Sequence, residues 1–274
     1  MSRNKPIRSI VVVSDLHVGS ALALCPKEDD NPACPFYSVR SFLRESWAEF
    51  WRWTWATVDP TETIIVVNGD LIEGRHHGMK QLVLNGTPLQ AKACARLLAA
   101  HTSKVRHVYI VEGTEVHVQD DEEVVGDLLT KEYGVPVVKN GDSFLHSRLK
   151  LKVNGLIHSF AHHVGTTTRP WLEANQLGMT LAAERLEALN AGEAPTDVML
   201  RAHRHIGGFA RTTSGLAVTT SSWQFATRHV LKIKSEARPV VGGAILQYKG
   251  KAHGEFPEVL LKEFRPAPDQ PIVH

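Results

Sequence analysis

Four times in this chain an apolar run of strand length ends in a short cluster of Asp, Glu and His: Val11-Val-Val-Ser-Asp15-Leu-His17, Val66-Val-Asn-Gly-Asp70, Ile110-Val-Glu-Gly-Thr-Glu115-Val-His117 and Met199-Leu-Arg-Ala-His203-Arg-His205. Residues at the ends of neighbouring strands converge on one sheet edge, where loops can shape a cleft. Such a layout demands a sheet-based fold with its chemistry at one rim.

The elements between these segments follow a βα rhythm in the first half. Strands are expected over 7–13, 63–67 and 105–111, with helices over 38–57, 88–101 and 120–133. The acidic opening Asp120-Asp-Glu-Glu123 suits the positive end of the third helix. Past residue 148 the pattern changes: 148–153 and 156–161 flank Asn154-Gly155, a pair suited to a tight hairpin turn. A helix over 171–190 and short strands near 197–201, 207–212, 217–221, 244–248 and 259–264 complete the chain. Two packed sheets with helices outside, in a single domain over 1–274, is the simplest arrangement. The stretches 25–35 and 265–271 read as an excursion loop and a tail. Trp47, Trp51 and Trp55, with Phe50, recur at helical spacing and read as a core stripe.

Hydrophobic residues make up 43% of 274, enough for a large core. The formal charge of +2 excludes a strongly basic nucleic-acid binder, so any basic footprint is local, as at 148–152 or 227–234. The run Ile10-Val-Val-Val13 is too short for a signal peptide or a membrane span, and three cysteines without a pairing framework point to a reduced, cytoplasmic setting.

Fifteen histidines raise the expectation of metal. Mixed carboxylates and imidazoles favour Mn²⁺, Fe or Zn²⁺ over an all-oxygen Ca²⁺ or Mg²⁺ cage. A carboxylate such as Asp70 can bridge two cations about 3.5–4 Å apart, the spacing that clamps both oxygens of a phosphoryl transfer. Arg75-His76-His77, directly downstream, could meet substrate phosphate, because arginine offers phosphate a planar fork.

Taken together in order, Asp15-Leu-His17, Gly69-Asp70-Leu-Ile-Glu73 and Ala202-His203-Arg-His205 resemble the Asp-x-His, Gly-Asp and Gly-His-x-His motifs of the calcineurin-like metallophosphoesterases, with Ala for the last Gly. The resemblance implies an α/β fold, a four-layer αββα sandwich of two mixed β-sheets flanked by helices. It implies a binuclear centre with Asp15, His17 and His205 on one metal, Asp70 on both and His203 on the second, with a further histidine from a middle strand end, for which His162 is the first candidate and its neighbour His163 the rival. Where the family shows Gly-Asn-His-Asp or Gly-Asn-His-Glu, this chain has Gly113-Thr-Glu-Val-His117, much as in some phage- and prophage-borne members. Glu115 is read as the replacement ligand and His117 as the catalytic histidine, with Thr114 at the direct Asn position. Two divalent ions, Mn first and Fe, Zn or Ni behind it, would generate a bridging hydroxide for attack on phosphorus. Phosphodiesters, with nucleic acid and nucleotides among them, rank ahead of phosphomonoesters; a non-catalytic metal-binding scaffold is the third reading.

Overall fold

Every residue of β1 (Ser9–Val13) is buried, yet its two faces enter different cores. Val11 and Val13 join a cluster with helix residues, while Ile10 and Val12 join a cluster shared with a second sheet. β2 (Thr63–Asn68) divides identically, Ile65 and Val67 to one side, Ile64 and Val66 to the other. A strand buried on both faces reads as a continuous β-branched run because the period-2 alternation has no polar side to show. Each such buried aliphatic side chain contributes roughly 1.5–3 kcal/mol.

The computed structural model describes residues 5–74, 81–115, 121–165, 172–227, 240–248, 250 and 252–266. Helices α1 (Tyr37–Thr57), α2 (Thr87–Thr102) and α3 (Asp121–Lys131) cover the outer face of the first sheet through Leu43, Trp47, Phe50, Trp51, Leu98, Val125 and Leu129. The tryptophan stripe is core, as expected: Trp51 is 1% exposed, and the Trp47 ring meets Trp223 edge-on at 4.8 Å. That sheet also contains β3 (His107–Val111), β4 (Leu145–His146), β10 (Val241–Gln247) and β11 (Glu258–Phe264), in the order β11-β10-β1-β2-β3-β4.

The second sheet runs β5-β6-β7-β9-β8, from β5 (Leu149–Val153), β6 (Leu156–Phe160), β7 (Val198–Arg201), β8 (Gly208–Thr212) and β9 (Gly215–Thr219). The expected hairpin at Asn154-Gly155 joins β5 to β6, with φ of 51° and 81° at the turn. Phe160, Val198, Leu200 and Val218 face the first sheet; Met199 and Ala217 face Leu177 and Leu181 of α4 (Glu173–Asn190). Helices, sheet, sheet and helix thus form the four layers expected, with an apolar core shared between the two mixed sheets. Among the described residues no helix is long and apolar enough to cross a membrane. Lys150 and Lys152 of β5 are exposed, with Lys150 paired to Glu193, so the basic stretch there is a solvent face; 228–239 lies outside the described residues.

Candidate metal centre

Within the first sheet β1, β2 and β3 are parallel, and within the second so are β6 and β7, so their carboxyl ends gather at one rim. Beyond the sheets the loops continue to pair. Asp15 N donates to Gly69 O, His17 N to Asp70 O and Val18 N to Leu71 O, at 3.0, 3.0 and 3.1 Å. Ala202 N donates to His162 O at 2.9 Å, and Asn68 Nδ2 crosses to Ala161 O at 3.3 Å, joining the rims of the two sheets.

Asp15, His17, Asp70, His203 and His205 have φ of 51°, 44°, 52°, 68° and 56°. Only two other non-glycine residues among those described share positive φ, Phe36 and Asn154. Each left-handed non-glycine residue costs on the order of 1–3 kcal/mol and persists only where surrounding structure enforces it. All five such residues of this rim fall in two clusters of ligand-type side chains. The neighbouring Gly69, at φ +83°, has no room for a side chain, since a Cβ there would collide with the His162 ring.

Two groups result, Asp15/His17/His205 and Asp70/His162/His203, each with ligand atoms within 4.8 Å of one another. Asp15, His17, Asp70 and His162 are buried, while His203 and His205 are partly open. His162 Nδ1 lies 2.7 Å from the carbonyl of Asn68 and must donate to it, so Nε2 faces Asp70 Oδ2 at 3.0 Å. His17 Nδ1 lies 3.0 Å from Glu73 Oε2, which leaves its Nε2 3.7 Å from the same Asp70 oxygen. His205 Nε2 is 3.3 Å from Asp15 Oδ1. In the neutral tautomers so fixed, the Nε2 atoms of His162 and His17 are lone pairs aimed at a carboxylate oxygen, an arrangement that calls for a proton or a cation between them. The donor set therefore fits divalent metal.

Protons answer that demand in the metal-free chain. Burial alone would lower His17, but the Glu73 hydrogen bond and charge, with Asp70 and Asp15, push it up to about 9. His162 likewise, against its burial, is raised to about 9 by Asp15 and Asp70. For Asp15 burial acts upward, and the charges of His205 and His162 overcome it, holding the carboxyl down to about 2. His203 is lowered by burial and by the neighbouring His162 and His163.

His162 occupies the second group, and His163 is exposed beside it, its ring 4.7 Å from that of His203. Glu115 is exposed and belongs to neither group, so the expectation that it supplies a ligand is not met by its placement. Thr114 reaches the site instead: its N–H donates to Asp70 Oδ1 at 2.6 Å, its hydroxyl to Asp70 Oδ2 at 3.1 Å, and the hydroxyl lies 3.4 Å from His203 Nδ1. The physical reason is chain direction, since the backbone after Gly113 turns Thr114 toward Asp70 and the next residue outward. Arg75, His76 and His117 lie outside the described residues. Two buried acids went unread in sequence. Glu73, 2% exposed, backs His17 and accepts from Gln224 Nε2 at 2.9 Å. Glu122 is wholly buried on α3; the signal for Glu73 was an acid within an apolar stretch, and Glu122 had none that set it apart from its acidic neighbours.

No family model and no curated protein matches the chain. Among solved structures, an archaeal phosphodiesterase described as novel is 10% identical with a TM-score of 0.43, covering 93% of this chain and 99% of its own. Vps29 from Entamoeba histolytica, complexed with zinc, is 13% identical with a TM-score of 0.43, over 94% and 98%. The E. coli phosphoesterase Yfce is 13% identical at 0.43, over 87% and 88%. A likeness at this level carries no argument by itself. The chain has two mixed sheets between helices and two candidate ligand groups at its joined strand ends, the layout that the resemblance read from its motifs implies.

Proposed function

We propose that the chain is a metal-dependent phosphoesterase acting on phosphodiesters, with nucleic acid and nucleotides as the first substrates to try. One oxygen carries the reading: Asp70 Oδ2, 3.0 Å from His162 Nε2 and 3.7 Å from His17 Nε2, faces both ligand groups. Two divalent ions bound there, Mn²⁺ first and Fe, Zn²⁺ or Ni²⁺ as alternatives, supply Lewis-acid stabilisation of phosphoryl oxygens and a nucleophile at neutral pH. Asp15, His17 and His205 would hold one ion and Asp70, His162 and His203 the other, with Asp70 Oδ2 near enough to the first group to serve both. Glu73 and the Asn68 carbonyl fix the tautomers of His17 and His162 so that each presents Nε2. His117 protonates the leaving oxygen, and Arg75 and His76 receive phosphate oxygens, in this proposal. Three buried acids at the centre, Asp15, Asp70 and Glu73, disfavour the extra charge of a monoester. The free cysteines, two of them buried, fit a reducing compartment such as the cytoplasm.

The test is turnover of bis-p-nitrophenyl phosphate, p-nitrophenyl phosphate, cyclic nucleotides and single- and double-stranded DNA with Mn²⁺. Diester hydrolysis abolished by EDTA and restored by Mn²⁺ is expected; full activity in excess chelator would end the proposal, and a monoester preference would revise the substrate. A non-catalytic scaffold is the second reading, favoured by a threonine where the resembled family has an amide ligand. It requires bound metal with no turnover on any of these substrates.

A further inference from the structure

Glu122 is the second residue of α3 and, unlike an ordinary acid of a first helical turn, is 0% exposed. Its two oxygens serve two different loops, Oε1 accepting from Leu71 N at 2.6 Å and Oε2 from Gly113 N at 3.1 Å. Leu71 follows Asp70 and Gly113 precedes Thr114, the residue whose N–H and hydroxyl orient both oxygens of Asp70. Gly113 is packed so closely on Asp70 that a Cβ would collide with its backbone nitrogen. A closed ring therefore runs from Glu122 through Leu71, Asp70 and Thr114 to Gly113 and back. Asp70 itself holds a left-handed φ of 52° that some neighbour must enforce.

The acid does not act as a simple helix cap, because both amides belong to other elements. Nor is it a cheap way to join two loops, since an isolated buried carboxylate is costly and its satisfaction leaves no apolar surplus. We propose that Glu122 is a positioning residue that locks the Asp70 and Thr114 loops together and so, through Thr114, whose hydroxyl lies 3.4 Å from His203 Nδ1, sets the cation affinity of the Asp70/His162/His203 group. The inference rests on the reading that this group binds a cation. Glutamine cannot replace the acid, because its amide nitrogen would confront one of the two backbone N–H groups with a second donor.

The experiment is a Co²⁺ titration of the full chain, followed by visible absorption, in two backgrounds. His205→Ala disables the first group and His203→Ala the second. Adding Glu122→Gln should raise the remaining Kd about 10- to 100-fold in the His205→Ala background, the usual scale for a supporting residue, and less than about threefold in the His203→Ala background. A general structural role would lower melting temperature in both without separating the two affinities. Equal weakening in both backgrounds, or none in either, overturns the inference. Should Glu122→Gln fail to fold, Glu122→Asp replaces it: the charge stays, the reach to both amides is lost, and the same split is expected. A parent chain that binds no Co²⁺ would instead sink the metal reading itself.

Discussion

The two ligand groups look alike in composition and differ in what stands behind them. In the first, His17 is backed by a carboxylate, Glu73, at 3.0 Å; in the second, His162 is backed by the carbonyl of Asn68 at 2.7 Å. A carboxylate behind an imidazole raises its basicity more than a neutral carbonyl does. The second group also carries Thr114, whose hydroxyl is turned to Asp70 and thus committed as a donor. Metal affinity is set as much by these supporting partners as by the ligands, and the first group should fill before the second.

Removing what the groups share gives the largest effect. Asp70→Asn is expected to lower diester turnover by at least about 10³-fold, because one carboxylate serves both sites and several kcal/mol of charge stabilisation goes with it. Turnover measured beside metal content decides: near-normal rates with two metals retained would remove Asp70 from its bridging place and leave the groups independent.

Protons should fail to tell the groups apart, since each contains one histidine raised to about 9, His17 and His162. A histidine raised above its ordinary 6.5 stabilises the metal-free fold fully below that value and loses the contribution as pH rises through about 9. Each cation must displace that proton, so apparent affinity should drop by about 10²-fold from pH 9 to pH 7, with about one proton released per ion. Calorimetry in two buffers of different ionisation enthalpy measures the release, and the gain in melting temperature on adding metal should grow over the same range. Proton release confined to one ion would break the symmetry.

How far this contrast was legible in sequence depends on the distance over which each feature is decided. The strands and helices around the motifs come from local periodicity, and β2, expected over 63–67, ends at Asn68. The return of β10 to lie antiparallel to β1 was not legible, because Gly242-Gly243-Ala244 has no local sign of which sheet it joins. Ligands at strand ends were readable because an acid or imidazole after a β-branched run is conspicuous. Glu122 was not: in Asp121-Glu122-Glu123 the three acids look equivalent beside a helix dipole, yet Glu122 turns inward to two loops and Glu123 holds Ser143 Oγ and Phe144 N. Which acid faces inward is settled by tertiary contact.

A smaller change should sharpen the difference between the groups by supplying what the second lacks. Thr114→Asn places an amide oxygen near His203 and Asp70, and a further neutral ligand should tighten the second ion about tenfold while leaving the first within about twofold. A two-site Mn²⁺ titration reads both constants. No change at the second site would mean that the Thr114 hydroxyl already performs the amide's part.

The smallest effect expected belongs to the residue that the sequence suggested as the replacement ligand. Glu115 is exposed, and Thr114 rather than Glu115 makes the contacts to Asp70 and His203. An exposed carboxylate outside both groups acts on bound cations only through solvent, where a unit charge several ångströms away is worth less than about 1 kcal/mol and is screened by salt. Glu115→Ala should therefore keep both ions and change turnover by less than about threefold, and raising the salt from low to physiological should shrink even that. Thr114→Ala, by contrast, removes the hydroxyl that orients Asp70 beside His203 and should weaken the second ion selectively. Metal content and diester turnover of the two variants side by side make the decision. Selective loss of one ion in Glu115→Ala, with Thr114→Ala unchanged, would mean that the loop after Gly113 rearranges to bring the acid inward when metal binds, and the weaker group would then owe its cation to Glu115.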